Sequence, residues 1–460
     1  MCRDPKICYW FNWRKKNIII GSEAEEKKSV LYIKYPIERG LIADWDNMEK
    51  IWDAVFTNEL KASPEEHFVL LSEIPQNPDK NREKMAEIMF EKFQVPGLYI
   101  ENQALLALST TGKYNGMVID SGEGITNCVP IMDSFEISEA CISLDVAGVD
   151  LNDFMVRSMA ERGQRLSTSG EKEIARKIKE KVCYVSLDFE KDVKSCEPYD
   201  YELPDGSHIY IRDERVRCPE ALFNPSIIGK SKNGIAQICY ESIQKCNNNF
   251  QKNLYNSIIL SGGSTMFSGF SERFNKEIKA LAPQSMKEEI KITANPDRNL
   301  VAWKGASILS TISSFQNRWI TKEQYKEKGS SIINKKPNKA QIESPVSIKK
   351  EEVIPIYNPK LNLLPTIILT VDYDGKINEE LYNNLKKELS EEIGSNNFSI
   401  TELRKGSCIM KIVLLAELAL KGIKASLHGC FSKEIDYVLK KIEKKNLFVW
   451  VIIMLLIQNM

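Results

Sequence analysis

Two periods of apolar residues alternate along the first 330 positions. The stretch "EHFVLLSEI" (66–74) holds a short unbroken apolar run, as a buried strand does. "NREKMAEIMFEKF" (81–93) switches to helical spacing, with Asn81 read as the start. "VPGLYIENQALLALSTTG" (95–112) passes from a strand pattern into a helix pattern, and Gly112 stops it. "YNGMVIDSGEGITNCVPIMD" (114–133) reads as two strands joined by a tight loop. "NSIILSGGSTMFSGFSERFNKEIKAL" (256–281) is strand, glycine-rich turn, helix. In "EKEIARKIKEKVCYVSLDF" (171–189), Ile174, Ile178, Val182 and Val185 make the apolar stripe of one helix. The alternation predicts an α/β body with helices packed on sheets.

The pattern fades in a Lys-, Pro-, Ser- and Asn-rich segment at about 328–365. It predicts three parts: a body over 1–336, a linker over 337–363 and a small α+β module over 364–460. In the last part, "PTIILTVDYDG", "FSITEL" and "GSCIMKIVLLAEL" are strand-like. Leu381, Leu385 and Leu389 recur at helical spacing, and "SKEIDYVLKKIEKK" reads as a second helix. The apolar run Leu447–Ile457 is shorter than the roughly 20 residues of a membrane span, so burial is expected rather than a membrane role.

Charge adds little. Lys+Arg and Asp+Glu both number 63, so nothing asks for a nucleic-acid partner. Eleven scattered cysteines and three histidines (His67, His208, His428), with no CxxC, argue against a zinc site and for reduced, buried thiols.

The loops carry the chemistry. In "IDSGEG", Gly122 and Gly124 suit either an ordinary hairpin turn or a close backbone approach to phosphate. Asp120 closes the preceding strand, where a carboxylate can hold water on a divalent cation. The turn Ser261-Gly262-Gly263-Ser264-Thr265 serves equally for tight strand–helix packing or for a nucleotide. Arg176, Lys179 and Glu180 share one helix face, either solvated and paired or forming a polar wall around a nucleoside.

Longer segments decide among these. "LYIKYPIERGLIADWDNMEKIWDAVFTNEL", "EEHFVLLSEIPQNPDKNREKMAEIMFE", "VIDSGEGITN", "IKEKVCYVSLDFE", "YELPDGSHI", "RCPEALFNPS", "LSGGSTMFSGFSERFNKEI" and "WITKEQYKEKGSSII" occur in order, and from about Lys16 to Lys336 the chain resembles the actin family. The resemblance implies the two-lobed actin-like fold shared with sugar kinases, and ATP with Mg²⁺ or Ca²⁺ in a central cleft. Gln103 matches the glutamine that orients the attacking water, and Asp120 the aspartate of the metal's water shell. Ser121, Gly122, Glu123 and Gly124 match the second phosphate loop, and Gly148 a glycine near the ribose. Arg176, Lys179 and Glu180 match residues around ribose and adenine. Gly262, Gly263 and Met266 match the adenosine loop, with Phe267 at the adenine-stacking position.

Departures are as informative. The family's first glycine-rich phosphate hairpin has no counterpart, since residues 1–15 hold no glycine. Asn127 stands where the family has a water-activating histidine, and an amide cannot take a proton from water at neutral pH. Glu123 replaces a shorter acid, Asn299 a lysine near the adenine, and Arg39 a modified histidine. The family's hydrophobic plug carries Lys230 and Lys232, costly on a buried lateral contact unless paired. The partner groove survives in Ile308, Leu309 and Ile312, with Arg318 in place of an apolar residue. The expectation is a cytoplasmic, cytoskeletal, ATP-binding protein with weak or absent ATP hydrolysis, meeting actin-like protomers or actin-binding proteins. The alternative is an actin-fold scaffold that binds no nucleotide; a small-molecule kinase would lack a substrate base.

Overall fold

A computed structural model of the chain describes residues 7–12, 15–20, 32–164, 169–203 and 206–334, together with strands at 366–373, 398–400 and 408–415. The chain divides into two compact units, with the change at residues 341 and 342.

Two sheets organise the larger unit. In the first, Gly97–Asn102 lies between Val69–Glu73, parallel to it, and Ile320–Thr321, antiparallel. All five residues of Val69–Glu73 are buried, as the unbroken apolar run requires. Around this sheet Met48, Trp52, Phe56, Phe90, Ile100 and Ile332 form one core. The second sheet runs Phe135–Glu136, Thr126–Met132, Gly116–Ser121, Ile258–Ser261, Ile292–Thr293, and Ile142–Leu144 also pairs with Thr126–Met132. Its core holds Met117, Ile119, Phe154, Ile178, Leu260, Phe270 and Phe274.

The helix Gln103–Ser109 joins the two. Leu106 packs with Leu70 of the first sheet, whereas Ala104, Ala107 and Leu108 pack with Val118, Val129 and Ile259 of the second. The helix Val301–Thr311 lies directly against it. A Cβ on Gly305 would fall 1.6 Å from the Leu106 carbonyl oxygen, so the two helices meet backbone to backbone. Only glycine permits that approach.

Three expectations change. The helix expected at Asn81 begins at Asp79, after Pro78, and widens into a π-type turn at Ile88–Lys92. Pro78 stands at the cap with an extended ψ of 137° and its carbonyl accepts from the Asn81 and Arg82 N–H groups, so the helix starts there and Asn81 lies inside. The helix carrying Ile174, Ile178 and Val182 ends at Val182, and Val185 joins the same core from the segment beyond it. Residues Ser330–Asn334, in the stretch where the periodic pattern fades but within the body read as 1–336, form a 3₁₀ turn with Ile332 and Ile333 in the first core.

In the smaller unit Thr366–Tyr373 and Phe398–Ile400 both pair antiparallel with Cys408–Leu415, as the three strand-like segments predict. The two helices expected there, and the run 447–457, lie outside the described residues. No helix among the described residues is long and apolar enough to cross a membrane.

Candidate functional site

The parallel strands Gly116–Ser121 and Ile258–Ser261 end side by side, in register from Ile258↔Met117 to Ser261↔Asp120. Ligands of open α/β sheets gather at such carboxyl ends. Alternation then places one row of side chains on one face. Val118, Val129 and Ile259 face the helix Gln103–Ser109, so Asp120, Asn127 and Ser261, each two residues along, share that face. Ser143 is the register partner of Asn127 on its other side. A polar row, Ser261–Asp120–Asn127–Ser143, therefore crosses four strands just beyond an apolar floor.

Its two ends are fixed by hydrogen bonds. Ser261 Oγ donates to Asp120 Oδ1 at 2.7 Å, and Ser143 Oγ donates to Asn127 Oδ1 at 2.7 Å. The middle is open: Asn127 Nδ2 is buried and has no hydrogen-bond partner among the described residues. Gln103, first residue of the helix on this face, presents a second buried, unpartnered amide nitrogen, Nε2. Both side chains are 2% exposed. A buried polar group without a partner costs about 1–3 kcal/mol, so two on one face of the sheet ask for a ligand. Burial pushes the Asp120 carboxyl up, opposed only by the Ser261 hydroxyl.

The glycine loops border this row. Gly262, at φ +91°, brings its Cα against the Ser121 carbonyl; a Cβ there would sit 2.2 Å from the oxygen. Ser264 Oγ and the Gly148 N–H both donate to the Gly122 carbonyl, at 2.7 and 3.0 Å, and the Val149 N–H donates to the Glu123 carbonyl. The Gly122 N–H itself donates to the Ile125 carbonyl, closing the hairpin. The Ser121 side chain points to the opposite face, where its hydroxyl meets Thr126 Oγ1, which donates to the Val146 carbonyl. Arg298 laces the second loop, donating to the Thr265 carbonyl while its own carbonyl accepts from Gly262.

The remaining candidates spread outward. Lys179 is buried and donates to the Gly148 carbonyl at 3.1 Å, with Glu123 Oε2 3.9 Å away. Burial pushes the Glu123 carboxyl up, against the pull of Lys179. Arg176 pairs with Glu173 and with Glu180, the latter at 3.0 Å and half exposed. Gly263 opens a 3₁₀ turn, Met266 is exposed, and Phe267 beside it lies in the second core.

A sequence model of one family, described as Actin, matches residues 8–338, more than half of the chain. The chain belongs to the actin family. Its larger unit has the actin-like α/β fold. The match begins earlier than the Lys16 read from the segments, and a hairpin of Ile7–Asn12 with Lys15–Ile20 lies there.

Several groups in this actin-family chain escaped the sequence reading. Ser143 acts through register, which no local spacing reveals, and showed only as one polar residue between Ile142 and Leu144; Ser261 was read as part of the glycine turn, but its bond to Asp120 was not. Asp150 is another. Arg39 reaches both its oxygens at 2.6 and 2.9 Å and donates to the Gly124 carbonyl at 3.0 Å. Lys230 also reaches Asp150, at 3.0 Å, so the plug-segment lysine expected to burden a lateral contact is paired within its own chain. Burial opposes the Asp150 charge, but the bonds from Arg39, Lys230 and the Ala147 N–H outweigh it and hold the carboxyl low.

Glu73, at the end of the first parallel pair, is the opposite case. Burial pushes its carboxyl up to about 7, against Arg82 at 3.1 Å and Asn77 at 3.0 Å. A pKa raised by folding means stability that is whole below the ordinary carboxylate range and lost as pH rises through 7. Stability is therefore expected to fall by on the order of 3 kcal/mol between pH 4.5 and 8 through this group. Urea unfolding across that range checks it: Glu73→Gln should flatten the slope, and an unchanged slope would assign the loss elsewhere.

Proposed function

We propose that this actin-family chain binds ATP with a divalent cation at the polar row and holds it with little hydrolysis, as a cytoplasmic, cytoskeletal protein. The observation that carries the reading is the pair of buried, unpartnered amides of Gln103 and Asn127 beside the buried carboxyl of Asp120. Those donors suit phosphate oxygens, and the carboxylate suits a hydrated cation.

In this reading Asp120 holds Mg²⁺ or Ca²⁺ through water, and the loop Ser121–Gly124 lies along the phosphates. Gly148, Arg176, Lys179 and Glu180 border the sugar and base, with Gly262, Gly263, Met266 and Phe267 on the other side. The cation would neutralise phosphate charge. Gln103 can hold a water, but Asn127 cannot accept its proton. Loss of one preorganised contact costs about 10²–10³ in rate, so ATP hydrolysis is expected to be slow. Ile308 and Ile312, both exposed, with Leu309, offer an apolar surface to actin-like protomers or actin-binding proteins.

One observation favours the nucleotide-free scaffold. Lys179, a buried cation beside the first loop, is already engaged by Gly148 and Glu123. Thermal unfolding of the full chain with and without Mg-ATP separates the two. A ligand specific to the native state at 1,000 times its Kd adds about 4 kcal/mol, a clear upward shift. An unmoved midpoint at millimolar Mg-ATP would establish the scaffold.

A further inference from the structure

We infer that Ser143 makes the site selective for a nucleoside triphosphate over the diphosphate, by holding the Asn127 amide with its nitrogen toward the ligand. The inference rests on the nucleotide reading of the same site and adds a positioning residue to it.

An asparagine side chain offers a donor at one end and an acceptor at the other, and half a turn about its last bond exchanges them. Which end faces a ligand is decided by what holds the other. Here Ser143 Oγ donates to Oδ1 at 2.7 Å, from the strand Ile142–Leu144 on the far side of Asn127 from Asp120. Oδ1 is thereby turned toward Ser143, and Nδ2 is left buried, without a hydrogen-bond partner among the described residues. Gln103 Nε2 is a second buried donor on the same face. Two N–H groups would repel a cation and attract an anion.

Depth says which anion. Glu180 and Met266, at the expected nucleoside end, are exposed, while Gln103 and Asn127 are among the most buried polar residues. A nucleotide entering past the glycine loops would place the far end of its phosphate chain against the amides. Hydrogen bonds to an ionised acceptor are the strong ones, and a diphosphate would leave these donors without one.

The test uses the full chain and compares its Kd values for Mg-ATP and Mg-ADP by calorimetric titration. Mg-ATP is expected to bind at least tenfold tighter than Mg-ADP. Ser143→Ala frees the amide to turn and should lower that ratio about tenfold, whereas Ser143→Thr keeps a hydroxyl and should preserve it. Asn127→Asp keeps the bond from Ser143 but turns an oxygen toward the phosphate, and should bring the ratio to one or below. It decides the matter even if Ser143→Ala does not fold. A ratio unchanged in Asn127→Asp, or in folded Ser143→Ala, overturns the inference and leaves nucleotide binding standing. Failure of the unchanged chain to bind either nucleotide overturns both.

Discussion

Gly262→Ala is expected to cost several times the stability that Gly229→Ala costs, although both glycines have similar positive φ angles, +91° and +79°. What differs is space. A Cβ on Gly229 would meet nothing within 4 Å, so alanine there carries only the left-handed backbone penalty, about 1 kcal/mol. At Gly262 the new Cβ would lie 2.2 Å from the Ser121 carbonyl oxygen and 2.5 Å from its carbon, which are main-chain atoms of a central strand. Neither can move without breaking the register Ser261↔Asp120. The backbone there, φ +91° and ψ 154°, also belongs to a region that only glycine visits freely. Overpacking of about 1–3 kcal/mol adds to strain of similar size, so a loss of roughly 3–5 kcal/mol is expected. Urea unfolding of the two variants checks it. Equal losses would mean that the two glycine loops do not touch. The same variant should also reduce any stabilisation by Mg-ATP, because separating the loops pulls Ser261 away from Asp120.

How much of this could be read beforehand depends on the range of the interaction. Elements came through because their causes are local. The apolar run Val69–Leu71 and the glycine after "VIDS" act within a few residues, and the strands and hairpin stand where they were read. Single boundaries slipped where a neighbour decided them: Pro78 started a helix early, and core packing held Val185 after the helix had ended. Candidate site residues could be named from sequence where they lay on a recognisable loop. Ser143 lies 16 positions from Asn127 and Ser261 lies 141 from Asp120, and the sheet alone makes them neighbours. Lys230 shows the same limit. From sequence it was a charge on a presumed contact surface; its partner Asp150, 80 positions away, came from the fold.

The second large effect concerns Asp120, where stability and binding are expected to move in opposite directions. Its carboxyl is 7% exposed, and its one hydrogen bond among the described residues comes from the Ser261 hydroxyl at 2.7 Å. No lysine or arginine forms an ion pair with it among those residues. Burial therefore pushes its pKa up, and the ionised form is a charge awaiting a counter-ion. Asparagine has the same shape and still accepts from Ser261, but carries no charge. Asp120→Asn should thus raise the unfolding midpoint of the ligand-free chain, by about 2–4 °C for each kcal/mol relieved, while abolishing the upward shift with Mg-ATP. Asp120→Ala should not stabilise, because it leaves Ser261 unpartnered and opens a cavity. The pH dependence supplies a further check on the cause. A carboxyl whose folded pKa is raised weakens the fold as pH rises through that pKa, so the advantage of Asp120→Asn should grow on the alkaline side and vanish in acid. A midpoint lowered at every pH would make the carboxylate part of the scaffold's own hydrogen bonding, and the cation would have to be held without it.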